Sequence, residues 1–387
     1  MSASFVVAAL SCIAVYQAQR DTKPIISHEG RQAAIVIPIR GTPPTLPALW
    51  QALSRQTYRP FRVIFAVEST DDPVYAALRK LSGGPPMDIV VAGPTAIRSQ
   101  KVHNQLAALA TLQPADGLVA FADADIVPSA DWLVLLVRSL RPHRIYDVVS
   151  GTRWLMPADD RWSTAFACVA GSSVSTLRRP ANLNLAWGGS LIMHREAFEA
   201  LHLDKCWERA ALDDLPLTRA VWALGGQIVG RRDTQVASPV AYGWKDAIAF
   251  GRRQYLFVRM HAPLQWAIAA IATTLPLIGW AAAVPLAAIG DRIALGAIAA
   301  TFILDHTRGR LRARIPRKLW GKEMSARVAW LDRWATPAWL AFHAAIIWST
   351  LFGRRITWAG RTYVIDRERR IARIIVSDDD VGNRAGS

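Results

Sequence analysis

Two pairs of aspartates stand where chemistry is possible. In FADAD (121–125), Asp123 and Asp125 are two residues apart and follow an apolar run that reads as a buried strand. Hard divalent cations such as Mg2+ or Mn2+ take oxygen ligands, keep several waters, and are held by one or two carboxylates plus substrate phosphates. The pair therefore reads as a metal–diphosphate site, although an Asp pair at a strand end also serves as a turn or a helix cap. Asp213 and Asp214, in ALDDLPL, open a predicted helix, where the dipole favours acids and they could be mere caps. They follow WGGSLIMHREAF (187–198). A glycine pair lets backbone approach a bound substrate, and an acid there could act as general base toward an acceptor hydroxyl.

Cationic and polar groups could complete such a site. In FGRRQYLFVR (250–259), Arg252, Arg253 and Arg259 could bond a diphosphate bidentately, or flank a membrane and bind its headgroups. Lys101, His103 and Asn104, in SQKVHNQ, lie at a predicted helix start, where phosphate or uridine could be held, while His103 also reads as an ordinary surface residue. Cys12, Cys168 and Cys206 match neither a zinc site nor a disulfide framework and read as small buried apolar residues in a reducing compartment. No dinucleotide fingerprint, phosphate-binding GxxxxGK[ST] loop, HExxH or GxSxG occurs, so dehydrogenase, NTPase, zincin and α/β-hydrolase readings lack support.

The elements that must position these residues are short. AAIVIPI (33–39), FRVIFAV (61–67), MDIVVAG (87–93) and GLVAFADAD (117–125) predict four strands, and 46–56, 73–81 and 101–112 predict helices between them. Strands alternating with helices specify an α/β fold with a mostly parallel sheet and helices on both faces. Near-continuous apolar strands are buried on both sides, and ligands of such sheets bind beyond the carboxyl ends of the strands. That edge receives Glu68, Asp71 and Asp72 after the second strand, and Asp123 and Asp125 after the fourth.

The rest of the chain points to a membrane. Of the 387 residues 52% are hydrophobic, with a mean hydropathy of +0.16, and the excess is concentrated in a few segments. Residues 1–20 read as an N-terminal membrane anchor, short of the roughly 20 apolar residues that a spanning helix needs. The stretch 264–304 is long enough for two tilted spans, or one span and an interfacial piece, with Pro276 and Pro285 as sites for a kink or hairpin. The stretch 334–352 is apolar and tryptophan-rich. The expected division is an anchor (1–20), a cytoplasmic catalytic domain (31–262), a membrane region (263–353) with a basic cytoplasmic loop (305–333), and a basic cytoplasmic tail (354–387). Basic segments on the inside require an even number of crossings after 263, so one apolar stretch should be re-entrant or interfacial. The net charge of +16 is densest in Arg308–Lys318, where anionic headgroups are the expected partner. A nucleic-acid partner is open on charge but not expected, because no aromatic-interleaved strand or recognition helix carries the basic residues.

Taken in chain order, VIPIRG, ESTDDP, SQKVHNQL, FADADIVPSADWL, GGSLIMHREAF, LDDLPL, GRRQYLFVR and ITWAGRTYVI resemble the family 2-like glycosyltransferases. Specifically, they resemble the ceramide glucosyltransferase group with its bacterial ceramide- and hopanoid-associated members. The resemblance runs from Ala33 to Ile365. It implies a GT-A-like fold with N-terminal and C-terminal transmembrane helices, a UDP-sugar donor, Mg2+ or Mn2+, and inversion at the anomeric carbon. It places the first family aspartate on Asp71 or Asp72 near the nucleotide, and the metal-site aspartate on Asp123 with Asp125 beside it. The catalytic base falls on Asp214, preceded by Asp213, and Lys101 and Asn104 match a KxxN-like stretch. At the final motif, (Q/R)xxRW, the sequence departs. GRRQY (251–255) puts Gln254 at the arginine and Tyr255 at the tryptophan, leaving Arg252 or Arg253 to substitute.

The implied acceptor is a membrane lipid hydroxyl, ceramide-like first, with diacylglycerol or a hopanoid as alternatives. The implied location is a bacterial inner membrane, with the catalytic domain facing the cytoplasm. The rival enzyme is a processive polysaccharide synthase, which needs more spanning helices. The rival without catalysis is a lipid-binding scaffold in which the acids are caps.

Overall fold

The computed structural model describes residues 2–18, 30–177, 182–358 and 360–376, which fall into two compact units. The α/β unit takes its described residues from Thr22–Arg153, Arg179–Ala237 and Arg354–Ser387. The helical unit takes its own from Met1–Asp21, Trp154–Arg178 and Ser238–Gly353. This division differs from the expected one. Residues 154–177 and 238–262 cluster with the helices instead of the sheet, and residues 354–358 and 360–376 cluster with the sheet.

The α/β unit is built on β1 (Gln32–Pro38), β2 (Phe61–Val67), β3 (Met87–Val91), β4 (Asp116–Ala122), β5 (Val148–Ser150), β7 (Ser190–His194) and β8 (Ile228–Gly230), in the order β3-β2-β1-β4-β7-β5-β8. β1 is parallel to both β2 and β4, with Ala33 opposite Phe61 and Leu118, so the carboxyl ends of these strands share one edge. Alternate residues of β1 point to opposite faces. Ala33, Ile35 and Ile37 enter one core, covered by α2 (Leu46–Ser54), α3 (Pro73–Arg79) and α5 (Trp132–Val137). Ala34 and Val36 enter another, covered by α4 (Gln100–Leu109), α7 (Arg195–Ala200), α8 (Leu203–Cys206) and α9 (Asp214–Ala223). The mixed α/β, mostly parallel, three-layered architecture expected from the sequence is therefore present.

Two details differ. β3 is half-exposed instead of buried, because it is an edge strand paired only with β2. A second sheet, β10 (Arg355–Trp358), β11 (Arg361–Ile365) and β12 (Ile371–Val376), follows the helices in sequence and belongs to the α/β unit.

The helical unit comprises α1 (Ser2–Ala18), α6 (Trp162–Ser175), α10 (Trp244–His261), α11 (Pro263–Ala288), α12 (Arg292–Trp320), α13 (Ala326–Trp334) and α14 (Thr336–Trp348). Strands β6 (Arg153–Pro157) and β9 (Val236–Val240), where the chain passes between units, pair with each other. Among the described residues one helix, α11, is long and apolar enough to cross a membrane. Its 26 residues span ~39 Å at 1.5 Å each. α1 has 17 residues and α14 has 13, so the expected N-terminal and C-terminal spans are shorter than that criterion asks.

Pro276 and Pro285 both lie inside α11 and make no hairpin. The reversal falls at Gly290, whose φ of 88° suits a residue without Cβ, and Asp291 then caps α12 through the Ala294 amide. The basic run is no loop either, for α12 continues to Trp320. Arginine is a good helix former, and two of the arginines, Arg308 and Arg312, are buried against Asp305 and Asp332 instead of facing headgroups.

Candidate active site

The carboxyl edge of the sheet gathers four aspartates. β4 ends at Ala122 and delivers Asp123, whose amide donates to the Gly189 carbonyl at 3.2 Å. β7 runs antiparallel to β4, with Ser190 opposite Ala122, so Trp187, Gly188 and Gly189 enter at the same edge. The glycine pair proves to make room for carboxylates. A Cβ on Gly188 would lie 2.1 Å from Asp213 Oδ2, and one on Gly189 would lie 2.4 Å from Asp123 Oδ2. No side chain fits at either position without moving an aspartate.

Asp213 precedes α9 and is buried. Its carbonyl accepts from Trp207 Nε1 at 3.0 Å, and its Oδ2 accepts from Gln105 Nε2 at 2.8 Å. Asp214 opens α9, where the helix dipole favours a negative charge. Its Oδ1 accepts from the Leu215 amide at 2.8 Å, and the Gly188 amide donates to Oδ2 at a longer 3.4 Å. Thr218 ties this turn down by donating to the Asp214 carbonyl and accepting from the Ala186 amide.

Two cations organise the acids. Lys101 Nζ, in the first turn of α4, bridges Asp123 Oδ1 at 2.8 Å and Asp213 Oδ2 at 3.2 Å. Arg153 forks across the other pair, from Nη2 to Asp123 Oδ2 at 2.8 Å and Asp125 Oδ1 at 3.0 Å, and from Nη1 to Asp125 Oδ2 at 3.0 Å. Its guanidinium also lies over the Trp187 ring, 5.1 Å from the centroid.

The charges answer to this packing. Burial would lower the Lys101 ammonium, but Asp123, Asp213 and Asp214 outweigh it and hold the pKa well above the ordinary range. Burial would raise Asp123, but Lys101 and Arg153 overcome it and hold the carboxyl below its usual range. Burial, reinforced by the neighbouring Asp213 charge, pushes Asp214 up to about 7, although its side chain keeps an edge open to solvent. A carboxyl at that value, able to meet a solute, suits proton transfer near neutrality.

Asp123 and Asp125 offer the hard oxygen donors that Mg2+ or Mn2+ prefers, and Asp125 is open to water with 48% of its side chain exposed. Among the described residues no group of three or more His, Cys, Asp or Glu side chains could hold a metal. The pair thus fits a cation that completes its shell with phosphate and water, and does not fit a closed protein cage.

Other residues singled out in the sequence are engaged with partners of their own. Asp72 caps α3 through the Val74 amide and also accepts from the Gly41 amide, while the exposed Asp71 bonds Ser69. Glu68 is paired with Arg361 of β11 at 2.9 Å, and Arg361 also donates to Gln100. Asn104 is buried between Gln100 and the Ala66 carbonyl. His103 bonds the Ala92 carbonyl. Arg252, Arg253, Gln254 and Tyr255 all lie on α10 in the helical unit, where Arg252 donates to the Ser349 carbonyl and Tyr255 bonds His343.

The sequence reading missed Arg153, Gln105 and Trp187 as parts of this arrangement, and Arg361 as the partner of Glu68. Arg361 lies in the last of the family-like segments, and Trp187 directly precedes the glycine pair. Nothing in the spacing of Arg153 or Gln105 marks them, because the carboxylates they meet are 28 to 108 residues away.

The family model for glycosyl transferase family 21 matches residues 2–371. No curated protein matches the chain. Among solved structures, similarity extends to a mannosyltransferase of Pyrobaculum calidifontis in complex with GDP-Man and Mn2+. That pair is 17% identical over 83% of this chain and 97% of the other, with a TM-score of 0.47. It extends also to TarS 1–349 of S. aureus in complex with UDP-GlcNAc, at 10% identity over 89% and 100% of the two chains and a TM-score of 0.38. Glucosyl-3-phosphoglycerate synthase of Mycobacterium tuberculosis, in complex with phosphoglyceric acid, is similar at 15% identity over 60% and 81%, with a TM-score of 0.37. Likenesses this distant carry no chemistry over to this chain.

Proposed function

Because the chain belongs to glycosyl transferase family 21, we propose that its α/β unit transfers a sugar from a UDP-sugar to the hydroxyl of a membrane lipid, a ceramide-like sphingolipid first, with inversion at the anomeric carbon. The observation that carries the reading is the shared glycine step. Gly188 and Gly189 set the carboxylates of Asp213 and Asp123 against one backbone turn, and the Gly188 amide reaches Asp214. This shared turn supports the reading of Asp214 as a base beside a diphosphate-side carboxylate.

In this reading Asp214 accepts the proton of the lipid hydroxyl as its oxygen attacks the anomeric carbon. The bond from that carbon to the diphosphate oxygen breaks, and the electron pair leaves with UDP. Asp213, held by Lys101 and Gln105, fixes the start of α9, and its charge adds to burial in raising the Asp214 carboxyl, which makes the ionised Asp214 a stronger base. Mg2+ or Mn2+ would be held by Asp123 and Asp125 and would supply charge neutralisation at the diphosphate. Lys101 keeps the Asp123 carboxylate ionised, as binding a cation requires.

A lipid acceptor is supported by α11, which exposes Ile268, Ile271 and Ile278 at 51–61% of their surface, a display that water penalises and a bilayer favours. The same helix supports an integral membrane protein, and the basic segments flanking the apolar ones support a catalytic unit on the cytoplasmic side.

The test is UDP release by the detergent-purified chain, offered a panel of UDP-sugars with ceramide, diacylglycerol or a hopanoid, with and without Mn2+, beside Asp214→Asn. Metal-dependent release that disappears in the variant is the expected result and identifies donor and acceptor together. Equal turnover in the variant would remove Asp214 as the base.

A further inference from the structure

Arg153 bonds both carboxylates that the proposed function assigns to a divalent cation, so arginine and cation compete for the same oxygens. Three of the four oxygens of Asp123 and Asp125 are engaged by this one guanidinium, while Lys101 takes the fourth. A divalent cation at those oxygens would repel the guanidinium and the ammonium already bonded to them, so at least one of the two gives way. Lys101 retains a second anchor in Asp213. Arg153 is the group with somewhere else to go.

Its backbone does not move easily. A Cβ on Gly151 would lie 2.2 Å from the Thr234 carbonyl, the Gly151 amide donates to the Ser190 carbonyl at 2.8 Å, and the Thr152 carbonyl accepts from the Val236 amide at 3.0 Å. The root of Arg153 is therefore held on both sides, and relocation falls to a long side chain with several rotatable bonds. The Trp187 ring offers a flat apolar face along which a guanidinium keeps a favourable contact as it turns.

We propose that Arg153 is a two-position arginine. Without donor it holds Asp123 and Asp125 close together and cancels their repulsion. With donor it yields those oxygens to the cation and forks onto the diphosphate, offsetting the charge that grows on the departing nucleotide. A guanidinium suits both positions because carboxylate and phosphate present the same pair of oxygens to its planar fork. The inference rests on the metal–diphosphate reading of Asp123 and Asp125.

The two positions predict opposite effects from one substitution, which a merely structural arginine would not give. The full chain in detergent is titrated with Mn2+ alone, followed by electron paramagnetic resonance of the free ion, and then with UDP at saturating Mn2+ by calorimetry. Arg153→Ala should tighten Mn2+ alone by about fivefold, the size of a half-exposed ion pair removed from competition. It should weaken UDP by at least about tenfold, as loss of a charge-assisted bidentate contact demands. Arg153→Lys keeps a point charge without the fork and should fall between wild type and Arg153→Ala in UDP affinity.

Loss of both affinities together with a lowered melting temperature would make Arg153 structural glue and overturn the proposal, as would no change in either affinity. The double variant Asp123→Asn, Asp125→Asn separates this failure from that of the underlying reading. If it binds Mn2+ as wild type does, the metal site lies elsewhere whatever Arg153 does. If it loses Mn2+ while Arg153→Ala behaves as wild type, only the two-position arginine fails.

Discussion

Two of the clusters in which aspartates meet cationic side chains, one in each unit, are built to opposite ends. In the helical unit Arg308 and Arg312 pair with Asp305 and Asp332, and no side chain of the four is more than 4% exposed. Arg308 is further held by Thr336 and the Asp332 carbonyl. In the α/β unit Lys101 and Arg153 pair with Asp123, Asp125 and Asp213, but Asp125 is 48% exposed and the cations keep 17% and 19% of their surface. A sealed pair cannot trade partners, because each charge left alone would be stranded away from water. A cluster with an open side can. The acids on the sheet edge are therefore the ones suited to exchanging a protein cation for a substrate and its metal, while the helical cluster fixes three helices to one another.

Breaking each cluster at one residue should separate these roles. The largest effect is expected from Asp214→Asn, which removes the proposed base while keeping its size. Turnover should fall by about 10²–10⁴, the range that general base catalysis supplies, with a melting profile unchanged only below about pH 4, where the carboxyl is protonated in both folded and unfolded states. Asp332→Ala should do the reverse. Removing one partner of a buried pair costs about 3–5 kcal/mol, so thermal unfolding in detergent should show a large loss. Asp125→Ala in the open cluster should cost under about 1 kcal/mol by the same assay, as half-exposed pairs do, while abolishing metal-dependent turnover. Comparable destabilisation by the two variants would erase the distinction between the clusters. Gly188→Ala comes next. Its Cβ would press on Asp213 at 2.1 Å, and because that carboxyl is fixed by Lys101 and Gln105 the strain falls on the α9 turn. Overpacking of this kind costs about 1–3 kcal/mol, and turnover should drop at least about tenfold because Asp214 moves with its neighbour.

How much of this the sequence displayed follows from the range of each interaction. β1, β2 and β4 are legible because a strand buried on both faces must be apolar at nearly every position, and the Asp123–Asp125 pair stands out against such a run. β3 has the same composition, but its exposure depends on sheet order, which no local pattern carries. The Arg308–Lys318 segment looks like a loop by charge, while the partner that buries Arg312 is 20 residues further on. Pro276 and Pro285 suggest a hairpin, yet the chain reverses at a glycine with positive φ instead. Arg153 is silent for the same reason as Arg312. A single arginine carries no pattern, and only the assembled sheet shows which acids it meets.

The smallest effect tests the setting of Asp214 instead of its presence. Its carboxyl is raised to about 7 by burial and by Asp213, whereas in the unfolded chain an aspartate titrates near ~3.9. A group whose pKa is higher in the folded state contributes stability that is fully present below the unfolded value and is lost as pH rises through the folded one. Wild type should therefore lose melting temperature relative to Asp214→Asn between pH 4 and about 7, and the gap should level off above that, once the carboxyl is ionised in both states. Turnover should move the other way, since only the ionised carboxylate accepts a proton, so kcat/KM should climb toward a plateau above pH about 7. Opposed trends in one pH window mark a base whose carboxyl is raised by burial and by Asp213, and a flat difference in melting temperature would remove that perturbed setting from Asp214.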